Sequence, residues 1–173
     1  MPADDPVPAT ERLRLRRMHT GDAAFMLELL NQPSFIRHIG DRGARDLDGA
    51  RFYITDRVLA AYAKHGFGME VVELRSTGEP VGICGLVKRD SLDDVDIGYA
   101  LLERHWGKGY AREAAQAVLR HAQADLRLKR LVAITGPDNT ASQALLRALG
   151  LRFEQVLSLP EGESALYAIE FPA

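Results

Sequence analysis

Cysteine is nearly absent from the chain. The single Cys84 lies in an apolar context and excludes a disulfide framework or a cysteine-rich metal site. That fits a reducing cytoplasm, and the residue reads as a small core side chain. No apolar run approaches the ~20 residues of a membrane-spanning helix. The opening Met-Pro-Ala-Asp-Asp-Pro is acidic and has no apolar centre, so it does not read as a secretory signal. A large charge of one sign is also missing. The net charge is −2 with both signs mixed, which gives no electrostatic reason to expect a nucleic-acid or membrane partner. The histidines, His19, His38, His65, His105 and His121, show no HExxH or other ligand spacing, so no metal is expected. Repeats and low-complexity stretches are lacking. At 173 residues the chain is long enough for one substantial core. Residues 1–9, rich in Pro and Asp, are expected to be flexible, and 10–173 to form one domain.

What is present centres on Arg104–Ala111, Arg-His-Trp-Gly-Lys-Gly-Tyr-Ala. An alternating run, Val95, Ile97, Tyr99, Leu101, precedes it, and an amphipathic run from Arg112 to about Leu126 follows. The order is strand, glycine turn, helix. Gly107 and Gly109 permit a sharp turn and clear side chains from a ligand's path. A helix N-terminus has unpaired N–H groups and the positive end of the dipole, so this entry suits a pyrophosphate. The bland alternative is a helix entry that happens to carry glycines. The stretch is not GxxxxGK[ST], since no Ser or Thr follows Lys108. It is not GxGxxG either, since Arg112 occupies the third glycine position.

The remaining elements follow from period and punctuation. Arg12–Arg16 alternates Arg and Leu as a half-buried strand. Thr20 is expected to cap a helix carrying Phe25, Met26, Leu29 and Leu30, and Asn31-Gln32-Pro33 stops it. A short helix is expected over Ser34–Ile39. Asp46 caps a longer one to about Lys64, with Gly66 as its stop. Phe67–Leu74, Val81–Lys88 and Val95–Leu101 read as strands on short links, hence an antiparallel meander. The central helix turns Ala115, Val118, Leu119 and Ala122 inward. Leu131–Ile134 then returns as a parallel strand. Pro137–Thr140 opens a helix over Ala141–Leu149 that Gly150 ends. Leu151–Leu157 and Ala165–Phe171 are the last strands, separated by a polar loop around Pro160–Glu163.

Three stretches in this order are similar to one family. Arg104-x-x-Gly107-x-Gly109 resembles the Q/R-x-x-G-x-G/A signature of the GNAT N-acetyltransferases. Ile97–Leu102 with Trp106–Ala111 resembles the RimJ/RimL branch of that family, which acetylates protein N-termini and other amines. So does Thr10–Arg16 followed by Gly21-Asp22. Asp138–Ser142 followed by Leu149-Gly-Leu151 resembles its second signature. Two departures stand out: Ala148 replaces a frequent Lys and Leu151 a frequent Phe. Arg147 or Arg112 is the expected substitute if that Lys contacts cofactor phosphates.

The resemblance implies an α/β fold, a mixed sheet with splayed middle strands flanked by helices, and acetyl-CoA as cosubstrate. It implies a bulge on Val95–Leu101 that frees backbone groups of Ala100, Leu101 and Leu102 for the pantetheine arm. An N–H near Ala100 or Leu101 then polarises the thioester carbonyl. Amides of Gly107, Gly109, Tyr110 and Ala111 take the pyrophosphate. Lys108 adds a charge or stays solvated, and Trp106 packs on the loop or under the pantetheine. Asn139 fixes the cofactor or caps its own helix. Ser142 protonates the departing thiolate or only hydrogen-bonds the pantetheine. Relatives place a Tyr one turn on for that proton, whereas here Leu145-Leu146 leaves none. Asp96 is the first candidate base, the alternative being that Asp93, Asp94 and Asp96 form a solvated strand entrance. Phe35, Ile36, Tyr53 and Glu163 are expected to wall the acceptor site.

The function implied is direct transfer of acetyl to a primary amine, first a protein or peptide N-terminal α-amine. The alternatives are a small-molecule amine (amino acid, polyamine, aminoglycoside) and, from another class, a silent acyl-CoA sensor. The protein is expected to be a monomer or homodimer.

Overall fold

The structure is a computed structural model that describes residues 5–160 and 162–172. Its order follows the hydrophobic periods of the chain. Leu13 and Leu15 are buried on one face of β1 (Leu13–Arg17), and the arginines between them lie on the other. The first helical turn departs from expectation. Thr20 does not cap it; the His19 ring accepts from Gly21 N and Asp22 Oδ2 accepts from His19 N, a capping box around the 3-10 turn Thr20–Asp22. Helix α1 (Ala23–Leu30) follows directly, and Pro33 opens α2 (Pro33–His38) at a position where its missing N–H costs nothing. Asp46 caps α3 (Leu47–Tyr53) through Gly49 N at 2.7 Å. The rod continues through a π-helical segment, Ile54–Leu59, into α4 (Ala60–His65), and Gly66 ends it at φ +79°.

Strands β2 (Met69–Leu74), β3 (Pro80–Val87) and β4 (Asp96–Leu101) form the expected meander with β1. Helix α5 (Tyr110–Ala124) crosses to β5 (Arg130–Thr135), which lies parallel to β4. Helix α6 (Thr140–Ala148) leads to the hairpin β6 (Arg152–Leu159) and β7 (Gly162–Glu170). The sheet order is β1-β2-β3-β4-β5-β7-β6, with every pair but β4–β5 antiparallel.

Helix α5 lies across β1, β3 and β4. It presents Ala114, Ala115, Ala117, Val118 and Ala122, small side chains that let helix and sheet approach closely; Leu119 is only half-buried. This layer includes Leu13, Leu15, Cys84, Ile97 and Leu131. Burial pushes the Cys84 thiol well above its ordinary pKa, which makes it a core residue and not a nucleophile. On the opposite face Val71, Ile83 and Leu102 pack beneath α1, α2 and α3.

Two expectations need correction. The last two strands approach each other more closely in sequence than expected, and Glu161, within the expected polar loop, lies outside the described residues. The two strands stay paired to Leu159↔Gly162, which holds Glu163 in the ladder opposite Ser158. The β3–β4 register runs without a shift from Gly82↔Leu101 to Val87↔Asp96, so β4 carries no bulge there. Within residues 1–9, Val7 is buried in the core, and Arg14 Nε donates to Asp5 Oδ2 at 2.8 Å. Residues 1–4 lie outside the described residues.

Candidate active site

The sheet opens at its centre. Strands β4 and β5 bridge at one position, Asp96↔Val132, where Val132 N donates to Val95 O at 3.0 Å. Beyond it they diverge. The gap, and not a bulge, exposes the backbone. Leu102 N donates to Val81 O at 2.9 Å, and groups alternate sides along an antiparallel ladder. Leu102 and Ala100 therefore spend their N–H groups on β3. The N–H groups of Tyr99 and Leu101 point to the open edge, as do the carbonyls of Ile97 and Tyr99. Leu101 O already accepts from Trp106 Nε1 at 3.1 Å. Of the three expected backbone positions, Leu101 faces the gap, Ala100 lends only its side chain to the wall, and Leu102 is buried away from it.

A cavity of about 710 Å³ runs through this gap. That is ample for an extended arm and a small acceptor. At one end lies the glycine loop. Gly107 and Gly109 hold φ +79° and +82°, a region costly for any other L-residue. The first turn of α5 begins with Glu113 N donating to Gly109 O, so the N–H groups of Tyr110, Ala111 and Arg112 have no partner within the helix. Arg12 braces the loop: its Nη1 donates to Lys108 O at 2.8 Å, its Nε pairs with Glu113 at 2.7 Å, and its guanidinium lies 4.7 Å from the Tyr110 ring centroid. Gly107, Gly109, Tyr110, Ala111 and half-exposed Trp106 all line the cavity; Lys108 does not. Arg112 lines both this cavity and the adjoining surface cleft, whereas Arg147 is turned to Tyr167 OH. Of the two expected substitutes for the Lys that Ala148 replaces, Arg112 lines the cavity and Arg147 does not.

Asp96 is not part of a solvated strand entrance. It is 1% exposed, lines the cavity, and takes one hydrogen bond, from Arg89 Nε to Oδ2 at 2.8 Å; Oδ1 is buried without a partner. Burial raises its pKa, and Arg89 opposes the rise. Strand parity sets it on the face of Gly98 and Ala100, toward the N-terminal helices, because Ala100 packs with their layer.

The other face holds a residue that sequence reasoning missed. Tyr99 OH lies 2.8 Å from Ser142 Oγ and 3.3 Å from Ser142 O, and both side chains line the cavity. Burial raises the Tyr99 pKa, while the Ser142 hydrogen bond acts against it, so the phenol stays protonated. A tyrosine reaches Ser142 after all, from β4 and not from α6. The sequence signal was parity: Tyr99 shares the face of Ile97 and Leu101, toward α5. Asn139 caps α6 by accepting from Ser142 N at 3.2 Å and also lines the cavity.

The acceptor end is walled by α2, the following loop and the rod through α4. Phe35 and Tyr53 line the cavity at this end. Ile36 does not, since one residue along a helix turns ~100°. Glu163 is exposed on the β6–β7 hairpin, outside the cavity. Asp41, Asp46 and Asp48 are also absent from the wall. Among the described residues no cluster of three metal-ligating side chains occurs, and no helix is long and apolar enough to cross a membrane.

Comparison with known proteins agrees with this geometry. The family profile described as an acetyltransferase (GNAT) domain matches residues 12–152. The chain is 34% identical to the uncharacterised N-acetyltransferase p20 of Bacillus licheniformis over 86% of this chain and 83% of that protein. An acetyltransferase structure from Agrobacterium tumefaciens is similar at TM-score 0.82 and 28% identity, covering 96% of this chain and 95% of the other. The Mycobacterium smegmatis RimJ structure with a CoA-disulfide is similar at TM-score 0.76 and 27% identity, over 91% and 81%. Since the family match runs from the strand that braces the glycine loop through both walls of the gap, the chain belongs to the GNAT acetyltransferases and is an acetyl-CoA-dependent N-acetyltransferase.

Proposed function

We propose that the acceptor is a protein or peptide N-terminal α-amine and that acetyl passes to it directly in a ternary complex. The observation that carries this is the lone carboxylate: among the described residues, Asp96 is the only Asp or Glu in the wall of the cavity. One carboxylate whose pKa burial raises is a modest base. It suits an α-amine, pKa ~7.7–8.0, better than a lysine side chain at ~10.4. A polycationic acceptor such as an aminoglycoside would ask for several acidic groups, and among the described residues the wall has none beyond Asp96.

Acetyl-CoA supplies the thioester whose carbonyl carbon the neutral amine attacks, forming the C–N bond and releasing the thiolate. The residues of the chain have four tasks. The amides at the start of α5, with Arg112, hold the pyrophosphate. The open edge of β4 pairs with the pantetheine arm as an added strand would, and the N–H of Tyr99 or Leu101 meets the developing oxyanion. Asp96 accepts the amine proton through a water. Ser142, backed by the Tyr99 phenol, returns a proton to the sulfur. Trp106 is held by Leu101 O against the loop and shields the arm.

Mass spectrometry of cellular N-termini with and without the gene tests the acceptor, beside a thiol-release assay on synthetic peptides. Lost acetylation of a defined set of N-termini is the expected result. An unchanged set, with turnover of a free amine, moves the assignment to a small molecule.

A further inference from the structure

The acceptor end of the cavity carries an excess of positive charge. Arg42, Arg57, Lys88 and Arg89 line it, against Asp96 alone. Two of these cations are spent: Arg89 on Asp96, and Lys88 on the carbonyls of Arg89 and Leu92. Two are not. Arg57 lies 3.7 Å from Asp56, but both side chains are more than half exposed, so that pair neutralises little. Arg42 has no ion-pair partner among the described residues, and its Nε is buried with no acceptor. A buried donor without a partner is costly, and a bound acceptor group removes the cost. Arg57 sits in the π-helical segment, an irregularity that re-aims side chains and recurs at functional sites.

We infer that the acceptor brings a carboxylate to Arg42 and Arg57, namely an Asp or Glu side chain within the first residues of the N-terminal segment that is acetylated. This rests on the N-terminal reading above. A guanidinium fork pairs with a carboxylate through two parallel hydrogen bonds, which makes these arginines readers of an acid and not only a general positive field. Both arginines line the same cavity as Asp96, which suits a group further along the same peptide than the amine. The same charge repels a basic segment.

The test uses acetyl-CoA, thiol release and three peptides that share a first residue and continue with Asp-Glu, Gly-Gly or Lys-Arg, together with free glutamate. The acidic peptide is expected to exceed the neutral one about tenfold in kcat/KM, mostly through KM, as one charge-assisted hydrogen bond allows. Arg42→Glu should reverse that order, with the KM for acetyl-CoA unchanged. Arg57→Gln, at an exposed position that tolerates change, should narrow the ratio and covers the case in which Arg42→Glu does not fold. Equal turnover of all three peptides, with ratios unmoved by Arg57→Gln, overturns the carboxylate inference and leaves the N-terminal reading standing. Turnover of glutamate and of no peptide overturns the N-terminal reading and leaves the carboxylate.

Discussion

The Tyr99–Ser142 pair offers a sharp prediction because its geometry separates two roles. Tyr99→Phe removes one oxygen and keeps the ring that packs with the α5 layer. Ser142→Ala removes the group nearer the start of α6. With the hydroxyls 2.8 Å apart, the bond between them contributes ~1 kcal/mol in the resting enzyme. Against a forming thiolate, a hydrogen bond to a charged group is worth ~1.5–3 kcal/mol. The difference, ~0.5–2 kcal/mol, predicts a fall in kcat of roughly 2- to 30-fold for the residue in contact with sulfur. If Ser142 donates to sulfur with Tyr99 behind it, Ser142→Ala should fall near the upper end and Tyr99→Phe near the lower. The double variant should be no slower than Ser142→Ala, because removing the relay twice costs nothing more. Steady-state thiol release for the four proteins completes the cycle, with KM for acetyl-CoA within about threefold throughout. Losses that multiply, or a Tyr99→Phe enzyme with unaltered kcat, would refute the relay.

Gly109→Glu should abolish acetyl-CoA binding by calorimetry. The site holds φ +82°, a new Cβ meets Arg12 Nη2 at 3.3 Å, and the carboxylate repels the pyrophosphate; wild-type affinity would mean the loop does not hold phosphates. Arg12→Ala should raise the KM for acetyl-CoA a few-fold with kcat little changed, since it braces the loop through Lys108 O, Glu113 and the Tyr110 ring; a loss confined to kcat contradicts this. Glu70 is 2% exposed, and burial pushes its pKa up to about 7, so the native state keeps a proton that the unfolded chain gives up. Stability should therefore fall by roughly 3 kcal/mol as pH rises from ~4.3 to about 7, then level off. Glu70→Gln should flatten that slope in denaturant titrations, and a variant that keeps the slope assigns it to other groups.

The fold was legible where local chemistry and period agreed. Asp46 and Asn139 are caps by residue type, Gly66 and Gly150 are stops, and the strand–helix–strand spacing around Gly107 demanded a parallel pair. The glycine turn at the entry of α5 was legible for the same reason. The parts of the site that depend on long-range contact were not. Tyr99 and Ser142 are 43 residues apart, and nothing local joins them. The phase of the β3–β4 ladder, which turns Leu101 N to the gap and Leu102 N away, is a property of two strands and not of one. Glu163 was misplaced because a continued ladder and a polar loop share the same composition. That Arg42 Nε is buried without an acceptor is a property of the packed chain and of no local pattern.

The most direct test of the account is the pH–rate profile of Asp96→Asn beside wild type, with an N-terminal peptide and saturating acetyl-CoA. Asn keeps an oxygen for Arg89 Nε, so the fold and acetyl-CoA affinity should persist. Since burial raises the Asp96 pKa, the wild-type acid limb should lie above the ordinary carboxylate range. The account predicts a rate loss of ~10²–10⁴, the range for a general base, and disappearance of that limb. A loss below about threefold, with the profile unaltered, contradicts it and leaves Asp96 only as the partner of Arg89.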